Sequence, residues 1–440
     1  MLQSSRRMFL GGVGVVAAGL RGARASGNAI RIGCISALTG SQEVRGRPIL
    51  DGAQIAADQI NAAGGVLGRP IEIIPADARA DPAAGVHHAR KLAGEGVNLL
   101  CGCITSELAL AISPELGAAN AVMISCSAQT VKLTHEAFVP NYFRVTDQTF
   151  MRNRAQAQLM TKRYPDVVRW STILPDNEYG RAAWAAFHDG LVDTRNEGRK
   201  PIIAEPVLAR FGETDFSAHI ELLKLQHSEG LFIAVNGDDA FSFYQQAQEA
   251  GLLAGNRVLA DSVNELAVPD LLGFATPEHL WLAVSWYYGG YQDRPMSRAL
   301  YRDNLHRTGN SLPLGFLNAG HSAVYAYAAA IAKAGTTQTL AVIKALEGLT
   351  FETAKGPVTF RPEDHQAICD VNVIRMKSAP EQVTMDINDG VRPDVEVAEF
   401  VRLDGNDVIE RATPGRMLVY QAESSVLAKP MSGSVTQYQP

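Results

Sequence analysis

Residues 30–75 read IRIGCISALTGSQEVRGRPILDGAQIAADQINAAGGVLGRPIEIIP, and the order of patterns in this stretch decides the fold. Residues 30–35 are short, apolar and followed by turn residues through Thr39 and Gly40, which predicts a buried strand. Ile49, Ala53, Ala56 and Ile60 then recur at helical spacing, predicting an amphipathic helix over 47–62. Gly64 and Gly65 stop it by supplying the left-handed cap that other residues resist. Residues 70–75 predict a second strand. Asp81 ahead of Pro82 is an N-cap with proline at the first helical position, opening a helix that runs to about Gly94. A third strand at 97–103, a helix at 107–120 and a fourth strand at 122–126 complete β-α-β-α-β-α-β. That alternation implies a parallel sheet with right-handed crossovers and helices on both faces.

The pattern restarts after residue 150. Helices are predicted at 151–163, 180–192, 215–227 and 238–250, and strands at 168–174, 202–206, 231–235 and 258–261. Two successive α/β units of similar size predict two doubly wound lobes rather than one long sheet. Beyond residue 380 there are strand-like pieces at 395–403 and 417–420, ending in a polar segment.

The chain has 440 residues and a formal charge of −6. Residues 1–25 hold Arg6, Arg7, Arg21 and Arg24 and no acid, so residues 26–440 carry −10. That balance argues against nucleic acid or an anionic membrane as partner. Residues 8–20 are apolar but fall short of the ~20 needed to cross a bilayer. With a cationic start and the small residues of 23–25, the segment predicts a cleaved export signal. Residues 5–10 (SRRMFL) resemble the twin-arginine consensus, whose pathway carries folded proteins to the periplasm. The five cysteines, Cys34, Cys101, Cys103, Cys126 and Cys369, are odd in number, so at least one thiol is unpaired within the chain, and one disulfide is possible but not required.

The run 61–72 (NAAGGVLGRPIE), with Asp77 and Asp81-Pro82 after it, resembles the type I periplasmic solute-binding proteins of ABC importers, the branch for branched-chain amino acids, amides and urea. Residues 101–106 (CGCITS), 124–129 (ISCSAQ), Glu178-Tyr179-Gly180 and 356–360 (GPVTF) with Asp364-His365-Gln366 match further elements in order. The likeness runs from about 28 to 376. It implies two lobes joined by three hinge crossings, with a small ligand held between them by closure and delivered to a membrane permease. It implies no catalysis and no cofactor, and a monomer. The division expected is a signal at 1–25, a first lobe of 26–146 with 287–350, a second of 147–286 with 351–404, and an extension at 405–440.

In open parallel sheets ligands sit beyond the carboxyl ends of strands, near helix N-termini. Thr105 and Ser106 follow a strand and open a helix, offering unpaired backbone N–H groups and two hydroxyls; alternatively Ser106 only caps that helix. Ala128 and Gln129 follow the next strand. Here the chain departs from the amino-acid binders, which tend to carry a small hydroxyl residue near Gln129. Tyr179 is expected from the opposite lobe. Asp238 or Asp239 and Asp261 end second-lobe strands, where either could pair with a ligand ammonium group or, for Asp238 and Asp239, merely cap a helix. Residues 286–288 (WYY) wall the pocket or belong to the core. Branched-chain amino acid, amide, urea and aromatic carboxylate remain open as ligands.

Other chemistry finds no support. The strand cysteines lack zinc spacing and suit buried packing. No HExxH, GxSxG or P-loop occurs. His365 beside Asp364 is the one acid–base pairing, and it falls within the non-catalytic resemblance. A ligand sensor coupled to a signalling partner and a periplasmic hydrolase are the rival functions.

Overall fold

The computed structural model describes residues 28–193, 200–377 and 395–420. The predicted signal at 1–25 lies outside the described residues, as does the tail from 421 onward.

The first lobe opens with the four strands and three helices that the sequence predicts and adds a fifth strand, at 142–144, that it does not. β1 (Ile30–Ser36), α1 (Glu43–Ala62), β2 (Ile71–Asp77), α2 (Pro82–Gly94), β3 (Leu99–Gly102), α3 (Ser106–Ile112), β4 (Val122–Ser125) and β5 (Tyr142–Arg144) follow in order. The five strands make one parallel sheet ordered β2-β1-β3-β4-β5. Asp81 caps α2 by accepting from the amides of Ala83 and Ala84. The helix predicted to run to 120 ends at Ile112, because Pro114 cannot continue its ladder and the chain tightens into a 3₁₀ turn at Ser113–Glu115. α1 starts at Glu43, one turn before the predicted 47, which extends its buried stripe back to Arg45.

The second lobe comprises α4 (Ala155–Arg163), β6 (Arg169–Pro175), α5 (Glu178–Asp193), β7 (Ile202–Ile203), β8 (Val207–Ala209), α6 (Ser217–Leu225), β9 (Gly230–Ile233), α7 (Asp238–Glu249), α8 (Leu252–Gly255), β10 (Val258–Asp261), α9 (Ala267–Leu272) and β11 (Leu280–Val284). The predicted strand 202–206 is divided into β7 and β8, both on β6, with Pro206 between them lacking the N–H a ladder needs.

The chain then returns to the first lobe with α10 (Pro295–Thr308), α11 (Phe316–Ala334) and α12 (Thr339–Leu346). α11 is seated on the first sheet by Tyr327, whose hydroxyl reaches the carbonyls of Leu100 and Val122 at 2.6 and 2.9 Å. β12 (Thr350–Thr353), β13 (Gly356–Phe360) and β14 (Ala367–Ile368) form a small antiparallel sheet. β15 (Val371–Lys377) and β16 (Glu396–Leu403) then add antiparallel strands beside β11, giving the second sheet the order β16-β15-β11-β10-β9-β6-β7.

Two expectations need correction. The expected division places residues 351–368 in the second lobe, but they pack on the first: Phe360 meets Phe143 edge-on at 5.3 Å, and Arg144 donates its amide to the His365 carbonyl at 3.1 Å. The third crossing therefore lies between β14 and β15; periodicity locates strands but not the sheet that receives their apolar face. Residues 417–420 form no strand. After β16, α13 (Gly405–Val408) leads a strap back to the first lobe, where buried Glu410 meets His135 and Arg361 at 3.2 Å and accepts from Gln148 at 2.5 Å.

Among the described residues no helix is long and apolar enough to cross a membrane, and no group of three or more His, Cys, Asp or Glu side chains is gathered as for a metal. All five cysteines are free and buried.

Candidate functional site

The two lobes touch across the carboxyl ends of their sheets. Gly237, at φ +66°, precedes α7 and brings its neighbours onto the first lobe: Asp238 donates its amide to the Ser41 carbonyl at 3.1 Å, and Asn236 accepts from Arg45 at 2.8 Å. A side chain at 237 would collide with Gln42 and the Ser41 carbonyl, so only glycine permits this approach. On the other flank Glu178, opening α5, accepts from Thr130 and Lys132 at 2.8 Å each, while its own amide donates to Glu107 at 3.0 Å. These contacts describe a closed arrangement.

Between the flanks lies a buried polar cluster. Arg45, at 4 % exposure, reaches inward from the first turn of α1. Its Nη1 donates to Gln42 and Asn236 at 2.8 Å each, and its guanidinium lies 5.2 Å from the Phe316 ring centroid. Burial draws its pKa from 12.5 to about 10, against the pull of Tyr179, Glu265 and Asp261. Tyr179 joins a chain in which its hydroxyl meets Ser262 Oγ at 2.7 Å and Ser262 donates to Asn153 at 2.8 Å. Burial pushes the Tyr179 phenol up to about 12, so it stays protonated.

Arg152 lies in a π-helical turn, Phe150–Arg154, at the first crossing between lobes, a distortion that recurs at functional sites. It binds Asp147 through two nitrogens at 2.7 and 2.8 Å and Ser285 at 2.8 Å. With the Gln129 amide turned oxygen-inward, Gln129 accepts from the same guanidinium at 3.1 and 3.2 Å. Burial alone would lower the Arg152 pKa, yet Asp147 holds it above its ordinary value.

A model of the periplasmic binding protein family matches residues 29–381. The chain belongs to that family. Specifically, it is a type I periplasmic binding protein of the branched-chain amino acid group, and a binding protein rather than an enzyme. Among its relatives, a Leu/Ile/Val-binding protein of Rhizobium johnstonii is 27 % identical over 344 residues, covering 75 % of this chain and 87 % of the relative. The leucine-, isoleucine-, valine-, threonine- and alanine-binding protein of Pseudomonas aeruginosa is 27 % identical over 334 residues, covering 75 % and 85 %. In fold the chain is similar to an amino acid ABC transporter substrate-binding protein from Pseudomonas fluorescens, with TM-score 0.73, 21 % identity, and coverage of 89 % of this chain and 100 % of the other. It is similar also to a solute-binding protein from Rhodopseudomonas palustris in complex with 3,4-dihydroxybenzoic acid, with TM-score 0.72, 19 % identity, and coverage of 86 % and 98 %.

Against this binding-protein frame the predicted residues separate. Thr105, not Ser106, caps α3, accepting from the Leu108 amide at 3.3 Å. Ser106, at 1 % exposure, accepts from the Thr130 amide at 3.1 Å and so ties the two first-lobe loops together. Ala128 is buried, and its carbonyl accepts from Arg144 at 2.7 Å; Arg144 also takes the Thr130 carbonyl and the Thr134 hydroxyl, holding that loop from beneath. Gln129, Tyr179 and Arg152 converge on the cluster. Asp261 does not present its carboxylate to a ligand: it is fully buried and accepts from Val263, Tyr244 and twice from Asn264 at 2.8–2.9 Å. Those four donors orient it into its own lobe. Asp238 is exposed at the rim, where partial burial and nearby Glu43 raise its pKa, and Asp239 receives the Gly212 amide at 2.8 Å.

Trp286 belongs to the core beside Ile55 and Leu317. His365 and Asp364 form no dyad; His365 Nδ1 lies 3.0 Å from the Tyr142 carbonyl and its ring stacks on Phe143 at 3.9 Å, while Asp364 pairs with Arg361. Sequence reasoning missed Arg45, Arg144 and Arg152. The signal for Arg45 was present: counting back from Ile60 through Ala56, Ala53 and Ile49 lands on 45, a cation on the apolar stripe.

Proposed function

We propose that this binding protein is the extracytoplasmic solute receptor of an ABC importer. It takes a small polar solute, amino acid- or amide-like, between its lobes and presents the closed form to a membrane permease. The observation that carries the reading is the direct meeting of both lobes over the buried Arg45–Tyr179–Arg152 cluster, with Gly237 as the tight point. Ligand contact made only in the closed state is what would shift the open–closed balance, and the permease reads that state. The export signal read at residues 1–25 supports a receptor working in the periplasm, where its solute arrives.

Thr105, Ser106, Ala128 and Gln129 would supply first-lobe contacts through their hydroxyls, amide and backbone groups, and Tyr179 the second-lobe contact. The names of relatives direct the test panel: branched-chain amino acids from the curated proteins, and benzoic acids from solved structures, one bound to 3,4-dihydroxybenzoic acid and another to 4-hydroxybenzoate. A thermal-shift screen over amino acids, amides, urea compounds and aromatic acids tests the reading. A ligand at 100 times its Kd adds about 2.7 kcal/mol to stability. The expected result is a hit weakened by Tyr179→Ala and lost uptake of that solute in cells lacking the chain. Unchanged uptake alongside an altered transcriptional response to the solute would replace transport by sensing.

A further inference from the structure

Arg45 is a buried cation whose hydrogen-bonding capacity is incompletely used. Its Nη1 has two acceptors, both neutral amide oxygens, of Gln42 and Asn236. Its Nε is buried and without any partner, and Nη2 has no acceptor among the described residues. No ion pair joins it to an acid among the described residues either. A guanidinium carries five N–H donors in a planar fork that suits a carboxylate in two-point contact, and burying one without an opposite charge is costly.

The acids around it are engaged elsewhere. Asp147 is held bidentately by Arg152. Asp261 receives four donors from its own lobe. Glu265 accepts from the amides of Ser285 and Gly315. The same occupancy bears on the other end of a ligand: both oxygens of each of these three carboxylates already accept from the protein, so none stands as an uncommitted partner for an ammonium group. What remains unpartnered beside the Tyr179–Ser262 chain is Asn153 Nδ2, a donor that seeks an oxygen.

We infer that Arg45 is the ligand anchor, and that the solute is a small carboxylic acid lacking an ammonium group, held by its carboxylate on the free Nε–Nη2 edge of this guanidinium. The inference rests on the receptor reading above and narrows its ligand class. Arg45 sits on the first lobe and is hydrogen-bonded to Asn236 of the second, so a carboxylate placed there would also brace the closed form. Phe316 beneath the guanidinium shields the site from water on one side, where charge-assisted bonds are strongest.

Titration calorimetry on the purified chain compares four probes in matched pairs: 4-methylpentanoate with leucine, and benzoate with benzamide. The expected result is binding of at least one carboxylate, with its matched partner at least about tenfold weaker, a difference of about 1.4 kcal/mol. Arg45→Gln should weaken that carboxylate at least tenfold while the ligand-free melting temperature confirms folding, and Arg45→Lys should restore part of the affinity. Tight binding of leucine or benzamide with both carboxylates silent overturns the inference and leaves the receptor reading standing. Carboxylate binding unaffected by Arg45→Gln in a folded variant overturns the anchor. Silence of all four probes overturns the ligand class, and the wider thermal-shift panel then decides the receptor reading separately.

Discussion

Single residues in this protein are informative where charge and burial conflict. Arg45, Arg144 and Arg152 are all buried, and each is satisfied differently: by neutral amide oxygens, by loop carbonyls and a threonine hydroxyl, and by an aspartate. Arg144 leaves only its Nε unpartnered, whereas Arg45 leaves the whole Nε–Nη2 edge that a carboxylate needs, which is why Arg45 invites a ligand. His321 shows the converse. It lies within the contact between α1 and α11 with Nε2 2.9 Å from the Gln59 amide oxygen, and burial depresses its pKa from 6.5 to about 3. The folded ring therefore stays neutral where the unfolded ring takes up a proton. Its contribution to stability is present above pH 6.5 and is lost as pH falls from there toward 3, by up to about 1.4 kcal/mol per pH unit. Urea unfolding at pH 7 and at about pH 5 is expected to show this loss in the parent, and a smaller one in His321→Gln; equal pH slopes would refute it.

At the scale of elements, the first lobe is held by α1 lying directly on α11. Gly52 faces the Leu317 carbonyl and Gly320 faces the Ile49 carbonyl, so the two backbones meet where a methyl group would collide. Gly320→Val is expected to cost about 1–3 kcal/mol through overpacking, and to lower Tm by several degrees in a thermal melt. Gly94→Ala, at the end of α2 with open space around the new methyl, is the contrasting case and should not lower Tm. The strap after β16 acts differently: Glu410 gathers His135, Gln148 and Arg361, so residues 405–420 close over the first lobe at the crossing instead of trailing from the second. The cysteines need no functional account, since burial raises the Cys103, Cys126 and Cys369 thiols and leaves no reactive thiolate there.

For the whole molecule the decisive quantity is the balance between open and closed lobes. Gly237 is the tight interlobe point, and its φ of +66° is one that side-chain-bearing residues resist. Gly237→Ala should leave each lobe folded yet oppose closure. The expected outcome is at least tenfold weaker solute binding by calorimetry, with a larger radius of gyration in small-angle scattering under saturating solute. Unchanged affinity would mean that the lobes close by another path. A ligand shifts the equilibrium only by its differential affinity for the two states, so any penalty on closure appears directly in the apparent Kd.

Local patterns in the chain determined the first sheet almost completely. Alternating apolar runs and helical stripes, the Asp81-Pro82 cap and the Gly64-Gly65 stop are short-range signals, and α2 runs from Pro82 to Gly94 as they predicted. Strand order also pointed to the loops at 105–106 and 128–129, because ligands sit beyond strand ends in a parallel sheet, whereas Tyr179 came from the resemblance to the solute-binding family. Tertiary structure decided the rest. Which lobe receives β12–β14, where the strap lands, and that Asp261 is enclosed by Tyr244 and Asn264 all depend on meetings between segments that local periodicity cannot pair. Arg45 is the clearest case. Its place on the helical stripe could be counted from the sequence. That its partners would be neutral amides, one of them Asn236 from nearly two hundred residues away, was decided only where the two lobes meet.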